Sequence, residues 1–200
     1  MRCSRYVALK FAVAELTGTN NEIKIHRHLA SQAGAHPGSE RVLTLFDHFR
    51  VEGPNGEHDV LVSQVVGPQL EAAFDDEPAV IQQSIKSLMR QVALGTSFLH
   101  HCGVVHAGWS TALSNMTRTD GQDSDLHKRN IAIEIPDFNG EPEESVVMAL
   151  EVPVCVPVLT QGPQHHTDLL PKYLVIPGNL VDRVCHEDMQ VKIIDFGEGS

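Results

Sequence analysis

Apolar and polar positions along this chain fall into short alternating runs, then one long helical stripe, then short runs again. Tyr6 to Phe11, YVALKF, predicts a short strand. Glu22 to Ser31, EIKIHRHLAS, sets Ile23, Ile25 and Leu29 among charged and polar residues and predicts a helix. His36-Pro37-Gly38 marks a turn. Val42 to Arg50 and Asp59 to Val66 predict two strands, and the Gly53-Pro54-Asn55-Gly56 turn between them predicts a hairpin. Gly67-Pro68 ends the second strand. Ala79 to His101 is the clearest helix, because Ile81, Ile85, Leu88, Val92, Phe98 and Leu99 fall near one face. Gly103 suits the left-handed residue that closes such a helix. Gly108 to Ser124 is polar and predicts a loop. Asn130 to Ile135 predicts a short strand, EPEESVVMALE a helix in a proline-rich stretch, and Gln190 to Phe196 a final strand.

Composition narrows the class without naming a function. At 200 residues the chain is long enough for one compact domain with a hydrophobic core. The net charge of −11 at pH 7 argues against nucleic acid as a main partner, since phosphate contacts need clustered Lys and Arg. Cys3, Cys102, Cys155 and Cys185 are scattered with no C-x-x-C pair, which suits reduced thiols rather than a zinc site or disulfide framework. The 12 histidines include no H-E-x-x-H. The first residues, MRCSRYVALK, hold no apolar signal-peptide core, and no run approaches the roughly 20 apolar residues of a membrane span. The expected location is therefore the cytoplasm or the nucleus, with no membrane partner.

Four short motifs carry candidate chemistry. In Val7-Ala8-Leu9-Lys10, a lysine at the end of an apolar strand can reach a bound nucleotide's phosphates. Ala8, two positions earlier, faces the same way and leaves room for a base. Glu22, on the helix that follows, can pair with Lys10 and hold its ammonium, with Glu15 a lesser candidate; a glutamate in a first helical turn is also favoured by the helix dipole alone. Asp195-Phe196-Gly197 follows the apolar run Val191-Lys192-Ile193-Ile194, which places a carboxylate at a strand end, where it can hold Mg²⁺. Asp125-Leu126-His127-Lys128-Arg129-Asn130 sets an Asp and an Asn five apart. Its natural lead-in, Val104-Val105-His106-Ala107, stops 17 residues early. Without Gly108 to Ser124 the two pieces would join as one loop.

Together these motifs resemble the eukaryotic protein kinase superfamily, and within it SR-protein-kinase-like serine/threonine kinases, especially divergent fungal ones. VALK, NEIKIHRHL, HPGSERVLTLFDHF, GPNGEHDVLVSQVVGP, FLHHCGVVHA, DLHKRN, LPKYLV and VKIIDFGE carry the resemblance. It implies an α+β, partly complete bilobal fold: 1–66 as the remnant of a small lobe with its hinge, and 67–200 as the start of a large lobe bearing the 108–124 insert. It implies ATP and Mg²⁺ as cofactors and a protein substrate, with Arg/Ser-rich peptides favoured. Lys10 would contact the α- and β-phosphates with Glu22 as partner. Ala8 and the hinge residues Gln64, Val65 and Val66 would receive the adenine, with Ser63 as gatekeeper. Asp125 would be the catalytic base, and Asn130 and Asp195 the metal ligands.

The departures are as informative. Only nine residues precede Lys10, too few for the family's glycine-rich loop, and the chain stops three residues after Gly197, before an A-P-E motif. The expectation is a partial domain, impaired in catalysis, marginally stable, with an apolar face of the Ala79 to His101 helix exposed. Gly108 to Ser124 fits a retained intron, since its borders can encode GT and AG; the alternative is a true loop insertion. Ala107 stands where an arginine often precedes the base, and His127 where a lysine usually stabilises the transferring phosphate. D-L-H-x-x-N followed by I-D-F also occurs in small-molecule kinases of the aminoglycoside-phosphotransferase type, although VALK and the GPNG hairpin favour the protein-kinase branch. A pseudokinase or interaction module is the non-catalytic alternative.

Overall fold

The computed structural model describes residues 5–34, 36–76, 78–104, 128–150, 152–159, 170–176, 178, 180–185 and 187–196. Asp125, the 108–124 insert, the His106-Ala107 lead-in and Gly197 lie outside the described residues.

The first part is a three-stranded antiparallel sheet in the order β1–β3–β2, built from β1 (Ala8–Phe11), β2 (Leu45–Gly53) and β3 (Gly56–Ser63). The GPNG turn closes the β2–β3 hairpin as its composition predicts, with Gly53 opposite Gly56. β3 is central and buries Val60 and Leu61. β1 pairs through Ala8 opposite Ser63 and Lys10 opposite Leu61, so Ala8 and Lys10 share a face. Between β1 and β2 runs α1 (Asn21–Ser31), one residue longer than its apolar pattern predicts. Asn20 caps it by accepting the Glu22 N–H. Its inner face carries Ile23, Ile25 and Leu29, but also Glu22 and His26, both buried.

The second part is mainly helical. A short α2 (Leu70–Asp76) leads into α3 (Pro78–His101), the predicted long helix. Leu88, Val92, Phe98 and Leu99 are all buried. Against the expectation of an uncovered apolar face, this stripe is packed. Leu88 and Val92 meet Ile131, Ile133 and Val191 of a two-stranded sheet, β4 (Ile131–Ile133) with β7 (Val191–Ile193). Phe98 and Leu99 meet Ile25 and Leu29 of α1 together with Ile193 and Phe196. Burying each such side chain is worth about 1.5–3 kcal/mol. One apolar cluster therefore joins the helix of the first part to the helix and sheet of the second.

Polar spokes set the register of that packing. Gln91 on α3 accepts from the Val191 N–H at 3.0 Å and donates to the Met189 carbonyl at 3.0 Å. Arg41 donates to the same Gln91 oxygen at 3.1 Å, tying the turn Pro37–Arg41 to α3. That turn presses so closely that a Cβ on Gly38 would lie 2.0 Å from the Leu94 carbonyl oxygen. Between β4 and β7 the chain forms α4 (Glu143–Ala149) and a two-stranded ribbon, β5 (Val154–Pro157) with β6 (Tyr173–Ile176). Every residue of the ribbon is exposed. No helix among the described residues is long and apolar enough to cross a membrane.

Candidate nucleotide and metal cleft

Lys10 is where the two parts meet. Its ammonium donates to both carboxylate oxygens of Glu22, each at 2.9 Å, and to Asp195 Oδ1 at 2.9 Å. The sequence pairing of Lys10 with Glu22 therefore holds. Glu15, the lesser candidate, sits exposed in the turn Ala14–Leu16. The Glu22 side chain is 5% exposed, whereas those of Lys10 and Asp195 are about half exposed, at 52% and 55%. A buried carboxylate thus anchors an ammonium whose other side faces the open cleft. Burial alone would lower the Lys10 pKa. Hydrogen bonds to Asp195 and Glu22, and the charges of both, outweigh it and raise the pKa above the ordinary lysine value.

Two supports fix this geometry, and neither was singled out from the sequence. Asp59, buried in the middle of β3, accepts Arg50 Nε at 2.9 Å and the Gly18 N–H at 3.0 Å. It ties the loop ahead of α1 to the sheet and so sets where Glu22 starts. His26 lies one turn beyond Glu22 and meets the Phe196 ring edge-on, with centroids 5.0 Å apart at 85°. Burial, with the positive charge of Lys10 adding to it, pushes the His26 pKa down to about 4, so the imidazole stays neutral at pH 7. The sequence signal for Asp59 was a lone carboxylate at the start of the D-V-L-V-S run; His26 gave none, because it reads as one more polar residue among charges.

Asp195 lies two residues after the end of β7 and holds φ 63°, in the left-handed region, the one described residue other than glycine with positive φ. That conformation is strained for a residue with a side chain and commonly marks a functional constraint. It lets Phe196 turn inward, fully buried, while the Asp195 carboxylate faces Lys10. The Asn130 carbonyl accepts the Ile194 N–H at 2.9 Å, which seats Asn130 beside the lead-in to Asp195. Lys10, Glu22, Asp195 and Asn130 are thus brought into one region from four separate stretches of chain. One ammonium between two carboxylates leaves a net negative cleft, and the donors on its floor are oxygens, the kind that hard divalent cations prefer. No tight group of three or more His, Cys, Asp or Glu occurs among the described residues, so any metal held here would take few protein ligands.

Gln64, Val65 and Val66, the expected hinge, make other contacts. The Gln64 N–H donates to the Thr44 carbonyl at 3.2 Å, and its side-chain oxygen accepts the Thr44 N–H at 3.1 Å. Ser63 is buried and donates to the Gln64 carbonyl at 3.3 Å. Val66 is half-buried in the stretch between β3 and α2. Gln64 and Val65 line a cavity of about 580 Å³ with Phe46, Ile135 and Lys192; Lys10, Glu22, Asn130 and Asp195 are not part of its wall. This cavity is therefore distinct from the Lys10–Asp195 cleft.

An antiparallel small sheet with a carboxylate-paired lysine, a buried bridging helix and an acidic residue closing a strand of the helical part defines a protein-kinase-like α+β architecture. Comparison with known proteins narrows it. The chain is 29% identical over 106 residues to the serine/threonine-protein kinase SKY1 of Saccharomyces cerevisiae, 52% of this chain and 12% of that protein. It is 32% identical over 111 residues to SRSF protein kinase 3 of Homo sapiens, 51% of this chain and 19% of that protein. It is 28% identical over 89 residues to the protein kinase dsk1 of Schizosaccharomyces pombe, 43% of this chain and 16% of that protein. No protein-family model matches the chain. Over about half its length the chain is similar to SR-protein-kinase-like serine/threonine kinases, and it spans less than a fifth of each of these relatives.

Proposed function

We propose that this chain carries the nucleotide cleft of a serine/threonine protein kinase that transfers the γ-phosphate of ATP to protein hydroxyls. The observation that supports it best is the convergence of Lys10, Glu22 and Asp195. Lys10 binds the α- and β-phosphates, and Glu22, buried behind it, holds the ammonium at that position. Asp195 and Asn130 are the metal ligands, and Ala8 with the backbone of Gln64 to Val66 receives the adenine. Asp125 takes the proton of the substrate hydroxyl. ATP and Mg²⁺ supply the phosphoryl group and the charge neutralisation for in-line transfer. In this reading Asp195, now bonded to Lys10, and Asn130 would hold a divalent metal whose charge would offset the net negative cleft. With Ala107 and His127 at their loop positions, transfer by this stretch is expected to be slow.

The protein substrate fits an Arg/Ser-rich peptide, because SRSF protein kinase 3 carries that substrate class in its name and the chain is acidic at −11. Cytoplasm or nucleus is the proposed location. A non-catalytic pseudokinase that keeps these surfaces for partner binding is the second reading, supported by the same two loop departures.

Thermal unfolding with and without millimolar Mg²⁺–ATP tests the proposal. A ligand that binds only the folded state at 100 times its dissociation constant stabilises by about 2.7 kcal/mol. The expected result is a rise of several degrees that Lys10→Ala removes. An unchanged midpoint, or the same rise in Lys10→Ala, overturns nucleotide binding at this cleft.

A further inference from the structure

The strand that carries Lys10 is held to the helical part at its other end too. Two residues ahead of β1, the Tyr6 N–H donates to Asn139 Oδ1 at 3.2 Å, and the Tyr6 hydroxyl donates to the Glu141 carbonyl at 3.4 Å. The Tyr6 ring meets Phe138 edge-on at 6.1 Å and 69°. Phe138 is itself anchored: it is 2% exposed in the apolar cluster around β4 and β7. The turn that presents these groups is braced from within. The Glu141 N–H donates to the Phe138 carbonyl at 3.0 Å, the Asn139 N–H to Asp137 Oδ1 at 3.0 Å, and Gly140 takes φ +87°. From the far side Arg183 stacks over Phe138 at 4.7 Å and bonds the Glu141 carboxylate.

A turn braced in this way, with Asn139 Oδ1, the Glu141 carbonyl and the Phe138 ring all engaging one tyrosine, is a fixed anchor. Lys10 lies four residue steps beyond Tyr6 along extended chain, about 13 Å at strand rise. β1 is thus pinned to the helical part at both ends, by Tyr6 and by the bond between Lys10 and Asp195. We propose that Tyr6 and the 138–141 turn form a clasp that sets how closely the β1 strand, and Lys10 with it, approaches Asp195 across the cleft. Tyr6 bonds Asn139 and Glu141 rather than the charged groups Lys10, Glu22 and Asp195, and it acts as a positioning residue. The clasp itself follows from the contacts; its consequence for nucleotide rests on the reading above.

Amide hydrogen exchange on the whole chain, read by mass spectrometry without nucleotide, tests the clasp directly. Asn139 is exposed, so Asn139→Ala leaves the core intact. The variant is expected to exchange faster over 6–11 by about two- to tenfold, the range that one net hydrogen bond covers. Exchange over 131–133 and 191–193 should not change. Asn139→Asp keeps an oxygen acceptor and should restore the protection. Tyr6→Ala should show the larger effect over 6–11, and Tyr6→Phe a smaller one. Unchanged exchange over 6–11, or an equal rise over 131–133, overturns the proposal. Titration calorimetry with Mg²⁺–ATP then separates the two readings. If the parent binds and Asn139→Ala binds more weakly by a similar factor, the clasp positions Lys10 for nucleotide; if both bind equally, that consequence is wrong. If the parent binds nothing, the nucleotide reading fails and the exchange result still decides the clasp.

Discussion

At the scale of single residues, His26 separates a charged site from its apolar support. It is 3% exposed, packed on Phe196 and one helical turn from Glu22, and it remains neutral because a second cation beside Lys10 would be both buried and repelled. A folded pKa of about 4 against the usual 6.5 gives stability a definite pH dependence. As pH falls through 6.5 the unfolded chain takes up a proton that the folded chain refuses. The stabilisation is therefore complete above that pH and lost progressively as pH approaches 4, by about 3 kcal/mol in all. Urea unfolding at pH 7 and at pH 4.5 measures it. His26→Leu should lose about 2 kcal/mol less stability than the parent between the two conditions, and equal losses would show that the imidazole is not buried neutral. Lys10 and Glu22 could be read in advance because strand parity and order along the chain constrain them. His26 could not, since one polar residue on a charged helix carries no signal until Phe196 arrives beside it.

Elements pack here by close approach as much as by apolar area. The turn Pro37–Arg41 rests on α3 because Gly38 has no side chain, and Gly95 on α3 allows a similarly close approach of Arg41, at the end of the same turn, and of Ile193. Gly38→Ala must move backbone, and should destabilise by about 2–3 kcal/mol. Gly103→Ala makes a useful contrast: its Cβ meets nothing within 4 Å, and only its φ of +71° is strained, so about 1 kcal/mol is expected. Thermal or urea melts of the two variants check the ranking, and equal effects would mean that the 37–41 turn does not bear on the helix as described. Element prediction succeeded where the local pattern was strong. The GPNG hairpin and the stripe on α3 are examples. It missed the β5–β6 ribbon, which is exposed throughout and so has no alternation of apolar and polar positions. It also missed α2, a short helix placed just after Gly67-Pro68.

For the whole molecule, the telling feature is which apolar surfaces are covered. The stripe on α3 is packed by α1, β4 and β7, whereas Leu9 and Phe11 on β1 and the β5–β6 ribbon are open to solvent. Joining of the two parts through the Phe98–Phe196 cluster keeps Lys10 and Asp195 in register without ligand. The 108–124 stretch belongs to this scale as well, because it separates His106-Ala107 from Asp125. If it is a retained intron, transcripts of the gene will include a species shorter by 51 nucleotides, three for each of its 17 residues. Amplification of cDNA across codons 107 and 125 reads this out. A single long product, or genomic borders without GT and AG, leaves a true loop insertion.

By itself the sequence determined the order of strands and helices up to Ser63, the long helix, and the three charged groups of the cleft. Each of these rests on local periodicity or on a motif whose spacing is set by the backbone. Only the tertiary structure decided that Asp59 and His26 support those groups, that the α3 stripe is covered, that Gln64 and Val65 line a cavity with Phe46 and Ile135, and that Tyr6 meets the 138–141 turn. These depend on contacts between residues distant along the chain, Tyr6 and Asn139 being 133 apart, and no local pattern encodes which distant face will arrive.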